Sequence, residues 1–336
     1  MSGNEPEEQR APTGGDGQEA EGHDPASPQE AEHAVCSLCG ADDPRLLYTR
    51  RDERLRVDER VYGVVICRRC GLGYLDPVPS REALRRYYPD GYFARRGQPG
   101  RGSRRYKLQA GYVREFAPGR LLEIGCAAGA FLRIMRDQGW KTVGVDTSEK
   151  AGNPYGLDLR YGEFLEMPFD PGSFDLITAW DVFEHLYDPK AYFRRAAGLL
   201  AEGGALVVAV PNLRWPGSRW GQREDVPRHL HFFTSATLSR MAAAAGLKTT
   251  RVLGDFSMKR NRSAGWLRVP LYARRGLTYR EYRADRKRPF LDRLRARPGL
   301  TLLCGLLSPL EDLLANRLLL AATGRAPELV GYFAKS

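Results

Sequence analysis

Short apolar runs alternate with helical patterns from Arg120 onward, and this alternation restricts the fold more than any other feature of the sequence. Strands separated by helices usually form a parallel sheet that is covered on both faces. We therefore expect an α/β protein with a mostly parallel, seven-stranded sheet. Its strands are predicted at residues 120–125, 141–146, 158–162, 174–180, 205–210, 248–254 and 328–334.

A glycine-rich turn, LLEIGCAAGAF at residues 121–131, follows the first of these strands. Glycine at a strand end lets backbone N–H groups approach a ligand closely. A dinucleotide turn would carry G-x-G-x-x-G, but Ala127 stands between Gly125 and Gly129. Glu123 precedes the turn, where its charge would repel a pyrophosphate and attract a cation. The pattern disfavours a dinucleotide.

A second acid, Asp146, closes the next predicted strand 23 residues after Glu123. An acidic side chain at this point of an α/β sheet can accept hydrogen bonds from both ribose hydroxyls. A cofactor with a ribose and a positively charged amino-acid tail, but without a phosphate, satisfies these observations. S-adenosylmethionine is such a cofactor.

The chain resembles the class I S-adenosylmethionine-dependent methyltransferases, from about Cys36 to the last predicted strand. The resemblance implies their Rossmann-like fold. It also implies a cofactor site formed by Glu123, Gly125, Ala127 and Gly129 around the methionine part, Asp146 at the ribose, Glu163 and Phe164 on the adenine side, and Asp181 at the cleft. The family usually has glycine where this chain has Ala127, which would affect how closely the backbone approaches the cofactor.

Candidates for a catalytic base come from two predicted loops. The resemblance places Glu184 and His185 of SFDLITAWDVFEHLYDP at the cleft, and EDVPRHLHFF at residues 224–233 resembles the family's loop toward the acceptor. Histidine suits proton removal from a hydroxyl or carbon acid near neutral pH. The candidates are His185, His229 and His231, with Glu184 and Glu224 as orienting groups. Alternatively, Glu184 caps a helix, and His185 and His231 are structural.

Four cysteines form a pattern typical of a metal site. Cys36, Cys39, Cys67 and Cys70 make two C-x2-C pairs separated by 27 residues, each pair followed by glycine. Such pairs can hold one tetrahedral ion, and the glycines permit positive φ after each pair. We predict structural Zn²⁺; disulfides and redox catalysis are the alternatives. Cys126 and Cys304 are expected to be buried thiols.

The order of a four-cysteine module, the segment GLGYLDPVPSREALRRYYPDGYF and the catalytic fold resembles C-methyltransferases of nucleotide sugars. In those enzymes the segment after the module leans over the cleft. The resemblance implies that Tyr87, Tyr88 and Tyr92 contact the substrate. The alternative is a helix capped by Ser80 whose tyrosines pack on the main domain.

We predict six regions along the chain. Residues 257–327 form a helical insertion before the last strand, as a lid or packing subdomain, or as an interfacial contact with membrane or acyl chains through 299–323. The other regions are a disordered acidic tail at 1–33, the zinc module at 34–78, a helical linker or lid at 79–118, the methyltransferase core at 119–256 and the last core strand at 328–336.

The leading hypothesis is a methyltransferase acting at oxygen or carbon of a small molecule, a sugar or another metabolite. The net charge of +11 and the zinc module leave an RNA methyltransferase as an alternative, but no N-P-P-Y type motif follows the fourth strand. A catalytically silent, zinc-containing scaffold is the non-enzyme alternative. With no apolar run of bilayer length and no signal sequence, we expect a cytoplasmic protein. No compact basic run is interleaved with aromatic residues, so we expect a solvated basic surface that does not bind nucleic acid.

Overall fold

The computed structural model describes residues 31–52, 55–88, 103–215, 225–255, 268–277, 282, 284–285, 288–313 and 325–335. Its main sheet has seven strands in the order β12-β13-β10-β9-β6-β7-β8, which confirms the predicted fold class. All neighbours are parallel except β13, which is antiparallel to β10 and β12. The strands are β6 (Arg120–Ile124), β7 (Lys141–Asp146), β8 (Asp158–Tyr161), β9 (Phe174–Trp180), β10 (Leu200–Pro211), β12 (Leu247–Asp255) and β13 (Glu328–Lys335).

The central strands are buried on both faces because their successive side chains point to opposite cores. In β9, Ile177 packs with Phe193 in one apolar cluster, whereas its neighbour Leu176 packs with Phe131 in the other. In β10, Leu206 and Val207 divide between the clusters in the same way. This double burial explains why the strands are continuous apolar runs.

Helices cover the sheet, and local sequence signals fix where they begin. Helix α4 starts at Pro189 after Asp188, whose carboxylate accepts a hydrogen bond from the Ala191 N–H. A capping box between Thr234 and Thr237 starts α5. The described core helices are α2 (Ser103–Tyr112), α3 (Ala130–Asp137), α4 (Pro189–Leu199) and α5 (Ser235–Ala243), and a shorter α1 spans Arg81–Arg85.

The N-terminal module is a second sheet, in the order β11-β4-β3-β2. Three strands come from the predicted module: β2 (Pro44–Arg50), β3 (Tyr62–Cys67) and β4 (Gly73–Asp76). The fourth, β11 (His231–Phe232), comes from the loop after β10 and pairs antiparallel with β4. The module therefore shares a hydrogen-bonded sheet with the loop that carries the candidate histidines.

The two ends of the predicted domain map differ in detail from the structure. Ala31–Glu32 form β1 and pair with β5 (Val78–Pro79), so two residues of the predicted tail of 1–33 belong to a strand, and residues 1–30 lie outside the described residues. The insertion contains α6 (Arg268–Ala273), α7 (Phe290–Ala296) and α8 (Pro298–Leu313). Residues 256–267 and 314–324 lie outside the described residues. Among the helices that the structure describes, none has the length and apolar character required to cross a bilayer.

Candidate cofactor and acceptor sites

Three acidic side chains lie where neighbouring parallel strands end. Glu123 belongs to the carboxyl end of β6, Asp146 ends β7, and Glu163 follows β8 after Gly162, whose N–H donates to the Asp146 carbonyl. Strands β6, β7 and β8 are adjacent in the sheet. The carboxyl ends of parallel strands are where α/β proteins bind ligands. The structure thus brings all three predicted acids to one edge.

Glu123 is a buried acid. Its residue is only 4% exposed, and its Oε2 has no hydrogen-bond partner among the described residues. Burial raises its pKa well above the ordinary value; the charge of Asp146 raises it further, and Arg105 opposes the shift. A buried carboxylate oxygen without a donor is suited to a cation such as the ammonium group of an amino acid.

The glycine turn is closely packed, so part of its sequence requirement is structural. Gly125 has a φ of 74°, and a Cβ added there would lie 2.4 Å from Val182 Cγ2. Gly129 has a φ of 73°, and a Cβ there would lie 2.6 Å from Leu157 Cδ1. Both positions favour glycine for conformation and for space. The contact with Val182 also brings the turn against the loop after β9.

Asp146 fixes the turn through its side chain. Its Oδ2 accepts a hydrogen bond from the Ala127 N–H at 2.8 Å, and its Oδ1 accepts one from the Ser148 N–H at 3.0 Å. A carboxylate has about four acceptor positions, so these bonds leave capacity for ligand hydroxyls.

Ala127, the departure from the family pattern, has a φ of 48°. This left-handed conformation costs a residue with a Cβ about 1 kcal/mol. We expect Ala127→Gly to raise the free energy of unfolding by up to about 1 kcal/mol, measured by urea denaturation. The matched control is Ala128→Gly: Ala128 is buried and is not among the residues with positive φ, so its loss should destabilise the protein. Equal destabilisation by both changes would contradict the strain assigned to Ala127.

Arg105 is a site residue that sequence reasoning missed. Its guanidinium lies 2.6 Å from Asp181 Oδ2, at the point where β9 ends. Burial lowers the pKa of Arg105, but the charges of Asp181 and Glu328 outweigh that effect and raise it. Asp181 itself has a φ of 56°, and its N–H donates to the Ala209 carbonyl. The predicted cleft residue Asp181 is therefore held in an ion pair from α2.

On the predicted adenine side, Glu163 accepts a hydrogen bond from the Tyr192 hydroxyl. Phe164 is almost fully buried and packs against the Tyr192 ring, with 5.3 Å between the ring centroids. Phe164 thus belongs to the hydrophobic core, below the carboxyl ends of the strands. Burial, followed by the interactions with Glu163, raises the pKa of Tyr192.

The candidate catalytic residues lie together. Glu184 Oε1 is 3.9 Å from His185 Nε2 and 4.0 Å from His229 Nε2, and the two rings meet edge to face with centroids 4.7 Å apart. His185 Nδ1 lies 2.9 Å from the Arg228 carbonyl oxygen. A histidine bonded in this way donates from Nδ1 and carries its lone pair on Nε2. Glu184 and His229 are buried and His185 is partly exposed.

Backbone bonds connect this cluster to the N-terminal module. The Leu230 N–H donates to the Glu184 carbonyl at 2.7 Å, and the Leu75 N–H donates to the Leu230 carbonyl at 3.0 Å. Leu75 lies in β4, whose partner β11 starts one residue after Leu230. The module therefore holds His229 in position.

The tyrosines after the module are expected either to contact the substrate or to pack on the main domain, and the structure places them differently from one another. Tyr87 is buried and its hydroxyl donates to Asp58 Oδ2 at 2.5 Å, as the packing alternative expects. The Tyr88 hydroxyl lies 3.3 Å from His185 Nδ1, beside the cluster. Tyr92 and Glu224 lie outside the described residues.

His231 lies outside this cluster and packs against the N-terminal module. Its Nε2 lies 2.8 Å from Ser37 Oγ, between the first two cysteines. Burial lowers its pKa to about 4, so the ring is neutral near pH 7. Arg240 also reaches the module, donating to the Cys70 carbonyl at 2.8 Å.

The four predicted metal-binding cysteines meet at one point. Cys36 and Cys70 sulfurs are 3.4 Å apart, and those of Cys39 and Cys67 are 3.6 Å apart. Sulfurs bound at about 2.3 Å to a tetrahedral ion lie about 3.8 Å apart. Gly40 and Gly71 follow the pairs with φ of 70° and 77°, and their N–H groups donate to the Cys36 and Cys67 carbonyls. All four thiols are free, in a geometry that suits a tetrahedral cation.

Comparison with known proteins agrees with this fold. Residues 100–252 match the family described as a methyltransferase domain. A Mycolicibacterium smegmatis protein named "Probable S-adenosylmethionine-dependent methyltransferase" is 28% identical over 142 residues, 40% of this chain and 54% of that protein. A ubiquinone biosynthesis O-methyltransferase of Caulobacter sp. is 36% identical over 104 residues, 28% of this chain and 41% of that protein. The chain thus spans about half the length of these curated relatives.

Among solved structures, a chain of the complex between the Haloferax volcanii Trm112 methyltransferase activator and a methyltransferase shares the fold. Its TM-score is 0.50 at 16% identity, over 75% of this chain and 97% of that chain. The sheet order is that of the class I methyltransferase fold. The family match over residues 100–252 and the similarity to the Mycolicibacterium smegmatis protein support a class I S-adenosylmethionine-dependent methyltransferase.

Proposed function

We propose that this protein transfers the methyl group of S-adenosylmethionine to an oxygen or carbon atom of a small molecule, a sugar or another metabolite. The observation that carries the proposal is the buried Glu123 Oε2, which has no hydrogen-bond donor among the described residues and lies at the glycine turn beside Asp146. A cofactor with an ammonium group and a ribose would supply the donors that both acids can accept.

The cofactor residues have separate roles in this proposal. Glu123 binds the amino group, the turn Gly125–Gly129 lies against the methionine part, and Asp146 accepts from the ribose hydroxyls. Glu163 accepts from the adenine amino group, and Phe164 supports that wall from the core. Arg105, with Asp181, offers a cation for the cofactor's carboxylate. The bound sulfonium supplies a methyl group that is already electrophilic, so the protein's task is alignment and exclusion of water.

On the acceptor side, His185 and His229 are the candidates for removing a proton, with Glu184 orienting them. His185 Nε2 is the better-placed base because its Nδ1 is bonded to the Arg228 carbonyl and the ring is partly exposed. Val182, two residues before Glu184, contacts the cofactor turn. We therefore propose that the acceptor cluster lies near the methyl group of the bound cofactor. The ubiquinone relatives are named as O-methyltransferases, which favours an oxygen acceptor here.

We assign structural Zn²⁺ to Cys36, Cys39, Cys67 and Cys70. The sulfur–sulfur distances in the structure are close to those of a tetrahedral ion bound by four thiolates. Its role is to hold β3 and β4, and through β11 the histidine loop. The ion is not proposed to take part in methyl transfer.

Calorimetry with S-adenosylmethionine and with its demethylated product tests this function. We expect one site per chain with micromolar affinity, the usual scale for enzyme ligands. Methyl transfer from labelled cofactor is then followed on phenols, sugars and nucleotide sugars, with RNA as a separate arm. The absence of cofactor binding at millimolar concentration would support the scaffold alternative. Methylation of RNA alone would replace the small-molecule acceptor.

A further inference from the structure

We propose that Glu184, His185 and His229 bind a divalent transition-metal ion, distinct from the four-cysteine site, and that this ion binds an oxygen atom of the acceptor. The metal site is argued from the geometry of these three side chains. Its role toward an acceptor oxygen rests on the methyl transfer proposed above.

The three candidate ligand atoms lie close to one another. One atom from each of the three side chains lies within 4.8 Å of the others. Glu184 Oε1 lies 3.9 and 4.0 Å from the two Nε2 atoms, which is too long for hydrogen bonds. Ligands about 2.1 Å from a tetrahedral ion lie about 3.4 Å apart, so Glu184 Oε1 would have to approach each imidazole nitrogen by about half an ångström, and the most distant pair by up to about 1.4 Å. Rotations of the two imidazole rings can supply that movement.

The surroundings orient the ligands as metal sites usually do. His185 Nδ1 is bonded to the Arg228 carbonyl, with the Tyr88 hydroxyl 3.3 Å away, so its Nε2 carries the lone pair. Asp225 Oδ2 lies 3.7 Å from His229 Nε2, the same nitrogen that would bind the ion, so its carboxylate is a further candidate oxygen ligand. The His229 N–H donates to the Asp225 carbonyl at 2.7 Å. The hydrogen bond to Arg228 thus sets which nitrogen His185 presents to an ion, and the backbone bond places His229 beside it.

Two imidazole nitrogens and one carboxylate indicate the class of metal. This set suits Mn²⁺, Fe²⁺, Co²⁺ or Zn²⁺, whereas Mg²⁺ and Ca²⁺ prefer oxygen ligands alone. Three protein ligands leave open positions on the ion. The four-cysteine site, by contrast, has a closed set of soft ligands. The two sites should therefore differ in ion preference, with Mn²⁺ suited to the histidine site and not to the thiolate site.

The ion's open positions point to the class of acceptor. A metal ion lowers the pKa of a bound hydroxyl and can bind a second oxygen next to it. We infer an acceptor with neighbouring oxygens, a catechol, an enol or a hydroxyl beside a carbonyl. With the ion bound, the His185 Nε2 lone pair is a ligand and no longer a base, so the bound O–H loses its proton to solvent. The oxygen then forms the C–O bond while the S–CH₃ bond breaks and its electron pair stays on sulfur.

Titration of the zinc-replete protein with Co²⁺ tests the site. We expect one Co²⁺ per chain, with visible absorption and no thiolate-to-cobalt band in the near ultraviolet. Glu184→Gln and His229→Gln should each weaken Co²⁺ binding at least about tenfold, the scale for loss of groups that determine metal affinity. His33→Gln is the matched control, because His33 is an exposed histidine beside Asp42 and Asp76.

Three outcomes separate this proposal from the methyltransferase proposal. No Co²⁺ binding, or Co²⁺ binding unchanged in both His229→Gln and His185→Gln, overturns the metal site even when the cofactor binds. Co²⁺ binding without cofactor binding overturns methyl transfer and leaves the metal site intact. If Glu184→Gln fails to fold, as judged by zinc retention, the two histidine variants decide the result.

Discussion

Asp146→Ala is expected to weaken S-adenosylmethionine binding at least about 100-fold. The substitution removes the carboxylate, and with it two charge-assisted hydrogen bonds from the ribose hydroxyls, each contributing about 1.5–3 kcal/mol to binding. The variant protein would also lose the hydrogen bonds that the Ala127 and Ser148 N–H groups donate to Asp146 and that shape the turn. Titration calorimetry measures the affinity, and thermal unfolding shows whether the fold persists. We expect the variant to remain folded, because Asp146 lies at the strand edge and is only partly buried.

Two further variants make this test specific. Asp158→Ala removes an exposed carboxylate of β8 that pairs with Arg160, so cofactor affinity should stay as in the parent protein. Asp146→Asn keeps one acceptor oxygen without the charge and should lie between the parent and Asp146→Ala. If Asp146→Ala bound the cofactor as tightly as the parent does, the ribose assignment would be wrong.

Cys67→Ser is expected to lower the zinc content by one ion per chain and to destabilise the N-terminal module strongly. Structural zinc sites contribute about 10–16 kcal/mol of apparent binding free energy near neutral pH, much of which is folding free energy. Cys67 ends β3, whose neighbour β4 pairs with β11. The variant should therefore lose Co²⁺ binding at the histidine cluster as well, while cofactor binding at β6–β8 is affected less.

Metal analysis of freshly purified protein measures the zinc, and limited proteolysis reports on the module. Cys304→Ser is the control, because Cys304 is a partly buried thiol in α8, away from the four-cysteine cluster. Equal zinc content in the parent and in Cys67→Ser would refute the metal assignment. A parent protein without zinc would do the same.

The sheet could be predicted from the sequence because its strands are buried on both faces and read as apolar runs. The exception is β10, which begins at Leu200, five residues before the predicted start. Gly203 has a φ of 73°, and the pairing with β9 shifts register between Leu200 and Ala205. Glycines in sequence indicate a turn, so this irregular extension carried no strand signal.

Site residues near the ends of predicted strands could be predicted from the sequence. Those that depend on contacts between distant segments could not. Glu123, Asp146 and Glu184 follow or end predicted strands, and the structure brings them to the expected edge. Arg105 meets Asp181 across 76 residues of sequence, and nothing in the helical segment distinguishes Arg105 from its neighbouring arginines. Strand β11 has two residues, too few to show a period of two. Such contacts depend on the assembled fold.

Strand β11 completes the sheet of the N-terminal module but lies far from it in the sequence, which affects folding during synthesis on the ribosome. The stretch from Pro44 to Asp76 emerges early, but the strand that covers its open edge is translated only at His231–Phe232. Until then β4 exposes unpaired N–H and C=O groups, which can pair with other chains. Early loading with Zn²⁺ would shape the nascent segment during this delay. We therefore expect zinc-starved cells to accumulate this polypeptide in aggregates.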